Sequence, residues 1–472
     1  MGLKLTKNEG GNMKRGVLFF LMLLMAMPVY AMQMTVAGDG DSSSNVKFDI
    51  GGDIRLRGYD YNNFWDFNDD TNGDNWNVFR LRTRIRTKAT LTDNVSGFIQ
   101  ISNQTYGEGV LTAENAAKFN PDKMSVWDGK NNNEDVFVDN AYLDLNNFFG
   151  LPVDLRLGRQ NLMYGTGFVL FDGESEAAST AIYFDGIKLT WRMAKSAKLD
   201  AFYMKDEERV RNEIGGGDDI TMGGAYLTAH CPVMGGQQEL YVLNRVDDKI
   251  DKNIVMYGMR LSDKCECGLD YSLEGAWQTG NAYRDATTGK TLDQNALGYK
   301  LEVGYALPVE DMKLRPFIGY ASLSGDEKAG DDDFEGWDVF YGGWPQFGDL
   351  MAWVFVNGPS QFATSYAGTS TVGGEANYSN MNLATGGIDI GIGKVKSTIS
   401  YTKMIVNDIS TTNPNLLRDN DYGDYYQLKV AYPYTNAVTF SIYYGMIEPG
   451  DAFPDTNDDP AHEFFWETNL VF

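Results

Sequence analysis

Strict alternation of apolar and polar residues is the feature that most limits how this chain can fold. In the segment ALGYKLEVGYALP, every second residue from Leu297 to Leu307 is apolar. Lys300 and Glu302 fall on the opposite face, which is the pattern of a β-strand with one apolar and one polar side. A tilted strand of about this length crosses a lipid bilayer.

The same pattern recurs along the chain and predicts eighteen strands. They lie near residues 46–58, 77–91, 95–104, 134–146, 151–159, 182–192, 197–206, 218–230, 236–246, 253–262, 267–279, 295–307, 312–322, 380–390, 395–405, 424–434, 437–447 and 462–472. Closed single-chain bacterial barrels have an even number of strands. The fold expected is therefore all-β: a transmembrane antiparallel up-and-down β-barrel of about 18 strands over residues 46–472.

The connections between these strands alternate between short and long. The short links lie around residues 93–94, 150–151, 194–195, 232–233, 264, 308–309, 391–393 and 435–436. The longer loops, rich in Asp, Asn and Gly, cover 59–76, 105–133, 160–181, 280–294, 323–379, 406–423 and 448–461. Outer-membrane barrels have short periplasmic turns and long extracellular loops, whereas a soluble sandwich needs no such segregation. Loop 323–379 is long enough to fold into the lumen or to cap its mouth.

The first 31 residues form a signal peptide region. From Met13, the expected true start, the sequence MKRGVLFFLMLLMAMPVYA has two cations, a short apolar run, Pro28 and small residues before Ala31. This is the pattern of a secretory signal, and the apolar run is too short to span a bilayer. We expect cleavage after Ala31, a short periplasmic segment over 32–45, and a barrel in the outer membrane of a Gram-negative cell.

The charge and the scarce histidines exclude several functions. A formal net charge of −25 argues against nucleic acid as a partner. The chain has two histidines, His230 and His462, both near strand ends, which supports neither a Ser–His site nor a His metal site. We therefore expect no enzymatic activity, no metal and no cofactor.

The three cysteines are too few for a disulfide scaffold. Cys231 lies at one short turn, and Cys265 and Cys267 lie at the next, on the same predicted periplasmic rim. Because the periplasm is oxidising, we expect Cys231 to pair with Cys265 or Cys267.

The stretch FRLRTRIRTKATL is basic at every second position although the chain is acidic. Phe79, Leu81 and Ile85 form the apolar face that meets lipid. A cation on that face costs ~2–4 kcal/mol at the bilayer midplane, so the basic side chains are expected in the lumen. The lumen-facing residues of this and nearby strands are Asp53, Arg55, Arg57, Arg80, Arg82, Arg84, Arg86, Lys88, Asp144 and Arg156.

Two roles are open for these cations. They can form an ion-pair network with carboxylates such as Asp53, Asp144 and Glu302, which would stiffen the wall without contacting a solute. They can also leave a net positive patch, which we favour because five consecutive cations on one strand face exceed what two neighbouring strands can neutralise. Arg and Lys rings in a pore favour anions, and the planar guanidinium suits a carboxylate.

The last strand carries the usual signal for the barrel-assembly machinery. In HEFFWETNLVF the residues Trp466, Leu470 and the terminal Phe472 share one face. The expected partners are this machinery, outer-membrane lipids and lipopolysaccharide, and small hydrophilic or anionic solutes.

The chain resembles the alginate-export family of eighteen-stranded outer-membrane porins. The resemblance rests on GGDIRLRGY followed by FRLRTRIRTKATLTDNVSGFIQI, and on AYLDL leading into VDLRLGRQNLMYGTGFVLFDG. It implies an electropositive constriction of lumen arginines and acidic residues that conducts an anionic polysaccharide. The matching positions are Arg55, Arg57, Arg80, Arg82, Arg84, Arg86, Arg156 and Arg159, with Asp53 and Asp144 as acidic partners.

The function expected is passive diffusion of hydrophilic, preferentially anionic solutes through an outer-membrane porin. One alternative is an export channel for an acidic, alginate-like polysaccharide. A second alternative, from a different class, is an adhesin or structural outer-membrane anchor in which loop 323–379 binds a surface partner.

Overall fold

The computed structural model describes most of the chain after the signal peptide region. It covers residues 32–37, 45–64, 66–69, 75–106, 136–172, 182–207, 220–230, 235–285, 288–328, 331–342, 346–355, 378–409 and 419–472. The predicted signal peptide and Cys231 lie outside the described residues.

Eighteen long strands form one closed antiparallel barrel, as the alternation predicted. They are β2 (Asn45–Asn62), β3 (Trp76–Thr92), β4 (Val95–Tyr106), β5 (Val136–Leu145), β6 (Val153–Gln160), β7 (Phe184–Ala194), β8 (Ala197–Glu207), β9 (Ile220–His230), β10 (Gln237–Asp247), β11 (Lys252–Lys264), β12 (Leu269–Arg284), β13 (Thr291–Tyr305), β14 (Met312–Leu323), β16 (Met381–Ile392), β17 (Val395–Val406), β18 (Asp421–Pro433), β19 (Val438–Pro449) and β20 (Ala461–Val471). Strands adjacent along the chain pair with each other, and β14 pairs with β16. The barrel closes where β2 pairs with β20, from Asp53 opposite Val471 to Asn62 opposite His462.

Several short elements lie outside this wall. Strand β1 (Met32–Ala37) pairs with the first residues of β2, so part of the expected N-terminal segment extends the sheet. Strand β15 (Asp333–Phe334) pairs in parallel with β13. A 3-10 turn covers Phe148–Gly150, and helix α1 covers Asp349–Phe355. No helix among the described residues has the length and apolar character needed to cross a bilayer.

The alternation of each strand separates an outer apolar face from an inner polar one. Leu81, Ile187 and Leu189 are at least 37% exposed on the outside, whereas Arg82 and Arg84 are buried on the inside. A fully exposed apolar band is stable only against lipid, since water would make its exposure unfavourable. Outer-membrane barrels have short periplasmic turns and long external loops, so the short turns mark the periplasmic rim and the long connections mark the external rim.

Two of the long connections fold inward and build the hydrophobic core inside the barrel. Residues 161–172, between β6 and β7, and residues 335–342 and 346–355, between β14 and β16, include side chains that are completely buried. The two segments touch through a bridge between Leu170 and Tyr341, and Phe168 stacks on Trp337 with ring centroids 5.5 Å apart. The long loop 323–379 thus enters the lumen, at least over its described part.

The disulfide differs from the expectation. Cys265 and Cys267 are bonded to each other across Cα atoms 5.1 Å apart, so neither is left for Cys231. The physical reason is proximity, because both lie in the tight turn between β11 and β12, whereas Cys231 belongs to the preceding short connection. The expected pairing of Cys231 with Cys265 or Cys267 is therefore wrong in this structure.

Candidate functional site

Four arginines on the inner faces of β2 and β3 form a compact cluster, here called the arginine wall. They are Arg55, Arg57, Arg82 and Arg84, and each is at most 8% exposed. The antiparallel register sets Arg55 directly opposite Arg82, so the cations of the two strands face one another. Like charges in such a position destabilise a sheet unless carboxylates lie between them.

Asp53 neutralises one pair of these arginines. Its Oδ2 accepts a hydrogen bond from Arg82 Nη2 at 3.0 Å, and its Oδ1 accepts one from Arg84 Nε at 2.7 Å. Asp53 is itself 2% exposed. An ion-pair network was one of the two roles open for these cations in the sequence, and Asp53 was one of the carboxylates expected in it.

Glu467 neutralises the other pair, and sequence reasoning missed it. Its Oε2 lies 2.5 Å from Arg57 Nε and 3.8 Å from Arg55 Nε. Glu467 belongs to β20, and barrel closure brings it opposite Arg57, 410 residues away in sequence. The signal was present in HEFFWETNLVF, where Glu463 and Glu467 alternate with the outward aromatics.

The other basic residues of β3 are less buried. Arg80 Nε donates to Gln104 Oε1 at 3.2 Å. Arg86 is half-buried and Lys88 is exposed towards the periplasmic end of the strand. Their role as channel-lining residues stays a prediction.

Arg156 and Asp144 form a second inner-face pair on β6 and β5. Arg156 Nε and Nη2 donate to the two carboxylate oxygens of Asp144 at 2.7 and 3.0 Å. The guanidinium carbon also lies 3.8 Å from the ring centroid of Tyr142. Bidentate pairing and stacking together fix this arginine against the wall.

Arg159 does not line the lumen, which corrects the expectation carried over from the family motif. It has the same strand parity as Leu155 and Leu157, whose side chains face outward, and it pairs with Asp185 at 2.8 Å. Asp185 has the same parity as the exposed Ile187 and Leu189 on β7. The alternation of the strand itself therefore places Arg159 on the outside, near the external end of β6.

Asp338 fixes the inward part of loop 323–379 to the barrel wall. Its carboxylate lies 2.8 Å from Lys252 Nζ and 3.4 Å from Arg245 Nη1, and all three side chains are buried. Burial alone would raise the pKa of Asp338, but Lys252 and Arg245 lower it to about 2. The side chain of Gln278 makes two hydrogen bonds with the backbone of Asp338: its amide nitrogen donates to the carbonyl, and its amide oxygen accepts from the N–H.

Helix α1 fills the opposite side of the lumen. Trp353 meets the ring of Tyr61 on β2 with centroids 5.3 Å apart, and Phe355 meets Tyr422 on β18 at 5.7 Å. Gln427 donates to the carbonyl of Phe347 at 3.4 Å just before the helix. The loop is thus anchored to strands on two sides of the barrel.

Tyr164 anchors the other inward segment, residues 161–172. Its ring stacks on Tyr226 with centroids 4.2 Å apart, and its hydroxyl donates to Asp200 at 3.0 Å. Burial, followed by the charge of Asp200, raises the pKa of Tyr164 well above its ordinary value. Both inward segments therefore narrow the lumen by specific contacts with its wall.

An open cavity of about 880 Å³ remains inside the barrel beside the short turn 306–311. Arg57 is the one member of the arginine wall that lines it. The cationic side chains that line it are Arg57, Lys264, Lys313, Arg315, Lys396 and Lys429, and the carboxylates are Asp389 and Glu467. Most of the exposed positive charge of this cavity thus comes from strands that the sequence analysis did not single out.

The carboxyl end of the chain completes the closure of the barrel. Phe472 exchanges two backbone hydrogen bonds with Gly52, at 2.8 and 3.0 Å, and its ring covers the side where Gly52 lacks a Cβ. Trp466 packs on Gly58 in the same way on the outer face. Recognition of this end by the assembly machinery stays a prediction.

Comparison with known families supports the resemblance drawn from the sequence. Residues 168–359 match the family model described as alginate export. The match is shorter than the resemblance expected from the motifs, but it includes the end of the first inward segment, residues 168–172, and the described residues of the second. No curated protein matches the chain.

Solved outer-membrane porins have the same architecture. OprD from Pseudomonas aeruginosa is 12% identical with a TM-score of 0.52, covering 90% of this chain and 93% of that one. OccAB2 from Acinetobacter baumannii is 12% identical with a TM-score of 0.53, covering 90% and 98%. A BenF-like porin from Pseudomonas fluorescens Pf-5 is 10% identical with a TM-score of 0.51, covering 90% and 99%. At such identities the likeness shows the fold alone, which is that of an outer-membrane barrel.

Proposed function

We propose that this alginate-export-like barrel is a channel for passive diffusion of small hydrophilic solutes, with a preference for anions. One observation carries the proposal: the open cavity in the lumen is lined by six cationic side chains and two carboxylates. A pore wall with excess positive charge raises the local concentration of anions and lowers that of cations.

The two carboxylates do not offset the remaining cations, because arginines already bind them. Asp389 accepts a hydrogen bond from Arg315 at 2.9 Å, and Glu467 contacts Arg57. Lys313 and Lys396 have no carboxylate within salt-bridge distance in the part of the chain that the structure describes. Their charge therefore faces the water-filled cavity.

The inward segments favour small solutes. Residues 161–172, 335–342 and 346–355 occupy lumen space that a wide general pore would leave open, and their hydrophobic contacts are buried. A solute must pass beside them, so diffusion is expected to fall steeply with solute size.

Planar-bilayer recording of the purified, refolded protein tests this proposal. In a salt gradient, the reversal potential should show a permeability to chloride greater than that to potassium. Cation selectivity would refute the anion preference. An absence of channel events would refute the channel function and would favour the adhesin or anchor.

Export of an acidic polysaccharide is the second candidate, and the family match over residues 168–359 favours it. It predicts that oligomers of an acidic polysaccharide, added to the periplasmic side, enter and transiently block the current. Blocking events whose duration grows with oligomer length would support export. The oligomers would be added at concentrations far above those at which small anions permeate. If the current stayed unchanged, passive diffusion would remain as the function.

A further inference from the structure

The tight turn between β11 and β12 carries the disulfide between Cys265 and Cys267 on the periplasmic rim. Cys265, Glu266 and Cys267 are all exposed, so solvent reaches both cysteine side chains. None of the three lines the lumen cavity of about 880 Å³. The chemistry of this turn is therefore separate from the passage of solutes.

Backbone hydrogen bonds close this turn without help from the disulfide. The N–H of Cys265 donates to the carbonyl of Leu269 at 2.8 Å, and the N–H of Gly268 donates to the carbonyl of Cys265 at 3.1 Å. Gly268 has a φ of 96°, in the left-handed region that glycine adopts without strain. Its carbonyl also accepts from the N–H of Ala306 at 2.8 Å, which ties the turn to the residue after β13. We therefore expect the turn to keep its shape when the disulfide is reduced.

Stabilisation of the fold does not account for this bond. A disulfide stabilises more when it closes a longer loop, and this one encloses a single residue. The ladder of β11 and β12 already joins the two strands on either side of the turn. Exposed disulfides are the labile ones, which exchange with thiols. The position of this bond is therefore that of a reactive group.

The two sulfur atoms of the disulfide are not equivalent. The backbone N–H of Cys267 donates to Cys265 Sγ, with 2.9 Å between nitrogen and sulfur. A hydrogen bond of this kind stabilises a thiolate on Cys265. Lys264 and Glu266 flank Cys265 with opposite charges that offset each other. Cys265 is therefore the better leaving group, and an incoming thiolate attacks Cys267 Sγ.

The short separation of the cysteines also decides which thiols can reduce the bond. Attack by a monothiol leaves the Cys265 thiolate two residues from the mixed disulfide on Cys267, and the Cα atoms of the oxidised turn are 5.1 Å apart. A thiolate held so close has a high effective concentration, so it expels the monothiol and re-forms the original bond. A dithiol avoids this reversal, because its own second thiol resolves the mixed disulfide.

We propose that the Cys265–Cys267 disulfide is an exchange site for a periplasmic protein that carries a dithiol. One thiolate of that protein attacks Cys267 Sγ, the bond between the two cysteine sulfurs breaks, and Cys265 leaves as a thiolate. The second thiolate of the protein then attacks its own sulfur in the mixed disulfide and releases Cys267. Two electrons and two protons pass to the barrel, whose cysteines end as thiols while the dithiol becomes a disulfide. This inference does not depend on the proposed channel function.

Reduction kinetics of the refolded Cys231→Ser variant test whether the bond is accessible. Without Cys231 the chain has only the two bonded cysteines, so free thiols report the reaction directly. Dithiothreitol should reduce the folded barrel at a rate within about tenfold of that for the same chain unfolded in urea, because the bond is exposed. Stronger protection in the folded barrel would identify a structural bond and overturn the proposal, as would free thiols before any reductant is added.

The choice of reductant tests the need for a dithiol. Reduced thioredoxin, used as the probe protein, should release two thiols per folded barrel, and failure to do so would overturn the proposed protein partner. At equal thiol concentration, 2-mercaptoethanol should release thiols at least about tenfold more slowly than dithiothreitol, because Cys265 reverses its attack. Equal rates would overturn the dithiol requirement.

Two matched single variants in the Cys231→Ser background test the direction of attack. The Cys265 thiol, isolated by Cys267→Ser, keeps the N–H at position 267 and should be alkylated by iodoacetamide at lower pH than the Cys267 thiol, isolated by Cys265→Ser. Identical pH profiles would overturn the assignment of Cys265 as the leaving group.

Heat-modifiable gel migration separates exchange from a structural role. Reduction of the folded barrel should leave the temperature of its migration shift unchanged, because backbone hydrogen bonds hold the turn. A lower temperature after reduction would show that the disulfide stabilises the barrel and would overturn the proposal.

Discussion

Replacement of Asp338 by asparagine should release the inward loop from the barrel wall. The change keeps the side-chain shape but removes the negative charge that Lys252 and Arg245 contact at 2.8 and 3.4 Å. Removing one partner of a buried ion pair costs about 3–5 kcal/mol. The lower end applies here, because Lys252 keeps an acidic neighbour in Asp247, which lies directly opposite it in the register.

A loss of about 3 kcal/mol shifts the docking equilibrium of the loop by about a hundredfold. Trp337, Phe340 and Tyr341, now buried, would then leave the lumen in a measurable fraction of molecules. Single-channel recording should show a higher mean conductance and more open-channel noise. Limited proteolysis with chymotrypsin should cleave the loop faster than in the wild type.

Asp332→Asn is the matched control for this variant. Asp332 lies in the same loop and pairs with Lys290, but both side chains are more than 60% exposed. Exposed ion pairs contribute little, so conductance and cleavage should stay at wild-type values. Gel migration would first show that the barrel of Asp338→Asn is folded. If this variant then had the conductance and the cleavage rate of the wild type, Asp338 would not hold the loop.

The same contact fixes the pH dependence of the docked loop. The folded-state pKa of Asp338 is about 2, below the ordinary value of 3.8. A depressed carboxyl pKa contributes stability that is fully present above the ordinary value and is lost as the pH falls through about 2. The contribution of Asp338 to docking should therefore be constant between pH 7 and pH 5, and conductance changes that depend on Asp338 should begin only below about pH 4.

Three further predictions concern the wall and the rim. Asp53→Asn should lower the stability of the barrel by about 3 kcal/mol, because Arg82 and Arg84 share this buried carboxylate. The temperature at which the gel migration shifts should fall accordingly. An unchanged temperature would contradict a structural role for the arginine wall. Arg159→Ala should leave the reversal potential unchanged, because the side chain faces outward, whereas a shift towards cation permeation would place it in the lumen. Alkylation of the unreduced, denatured protein followed by peptide mass spectrometry should leave Cys265 and Cys267 unlabelled, and labelling of either would contradict the bond between them.

The strands were predictable because their determinants are local. An outer face in lipid and an inner face in water impose a period of two on each strand, so eighteen segments could be located within a few residues of their bounds. The same rule would have placed Arg159 correctly, since it lies two residues after the outward Leu157. The error came from carrying over a family motif in preference to the alternation.

The partners of the arginines were only half predictable. Asp53 is two residues from Arg55 and faces Arg84 across a hairpin, so a local reading could name it. Glu467 is far away in sequence, and only closure of the barrel between β2 and β20 brings it to Arg57.

The sequence by itself determined the barrel, the side of the membrane on which each connection lies, and the inward direction of the basic side chains of β3. It did so because lipid and water act on every residue independently of distant neighbours. Only the tertiary structure decided which cations are neutralised, which loop segments fill the lumen, and where an open passage remains. Those outcomes depend on contacts such as Asp338 with Lys252, whose energies arise only once a closed wall has brought remote residues within a few ångströms of each other.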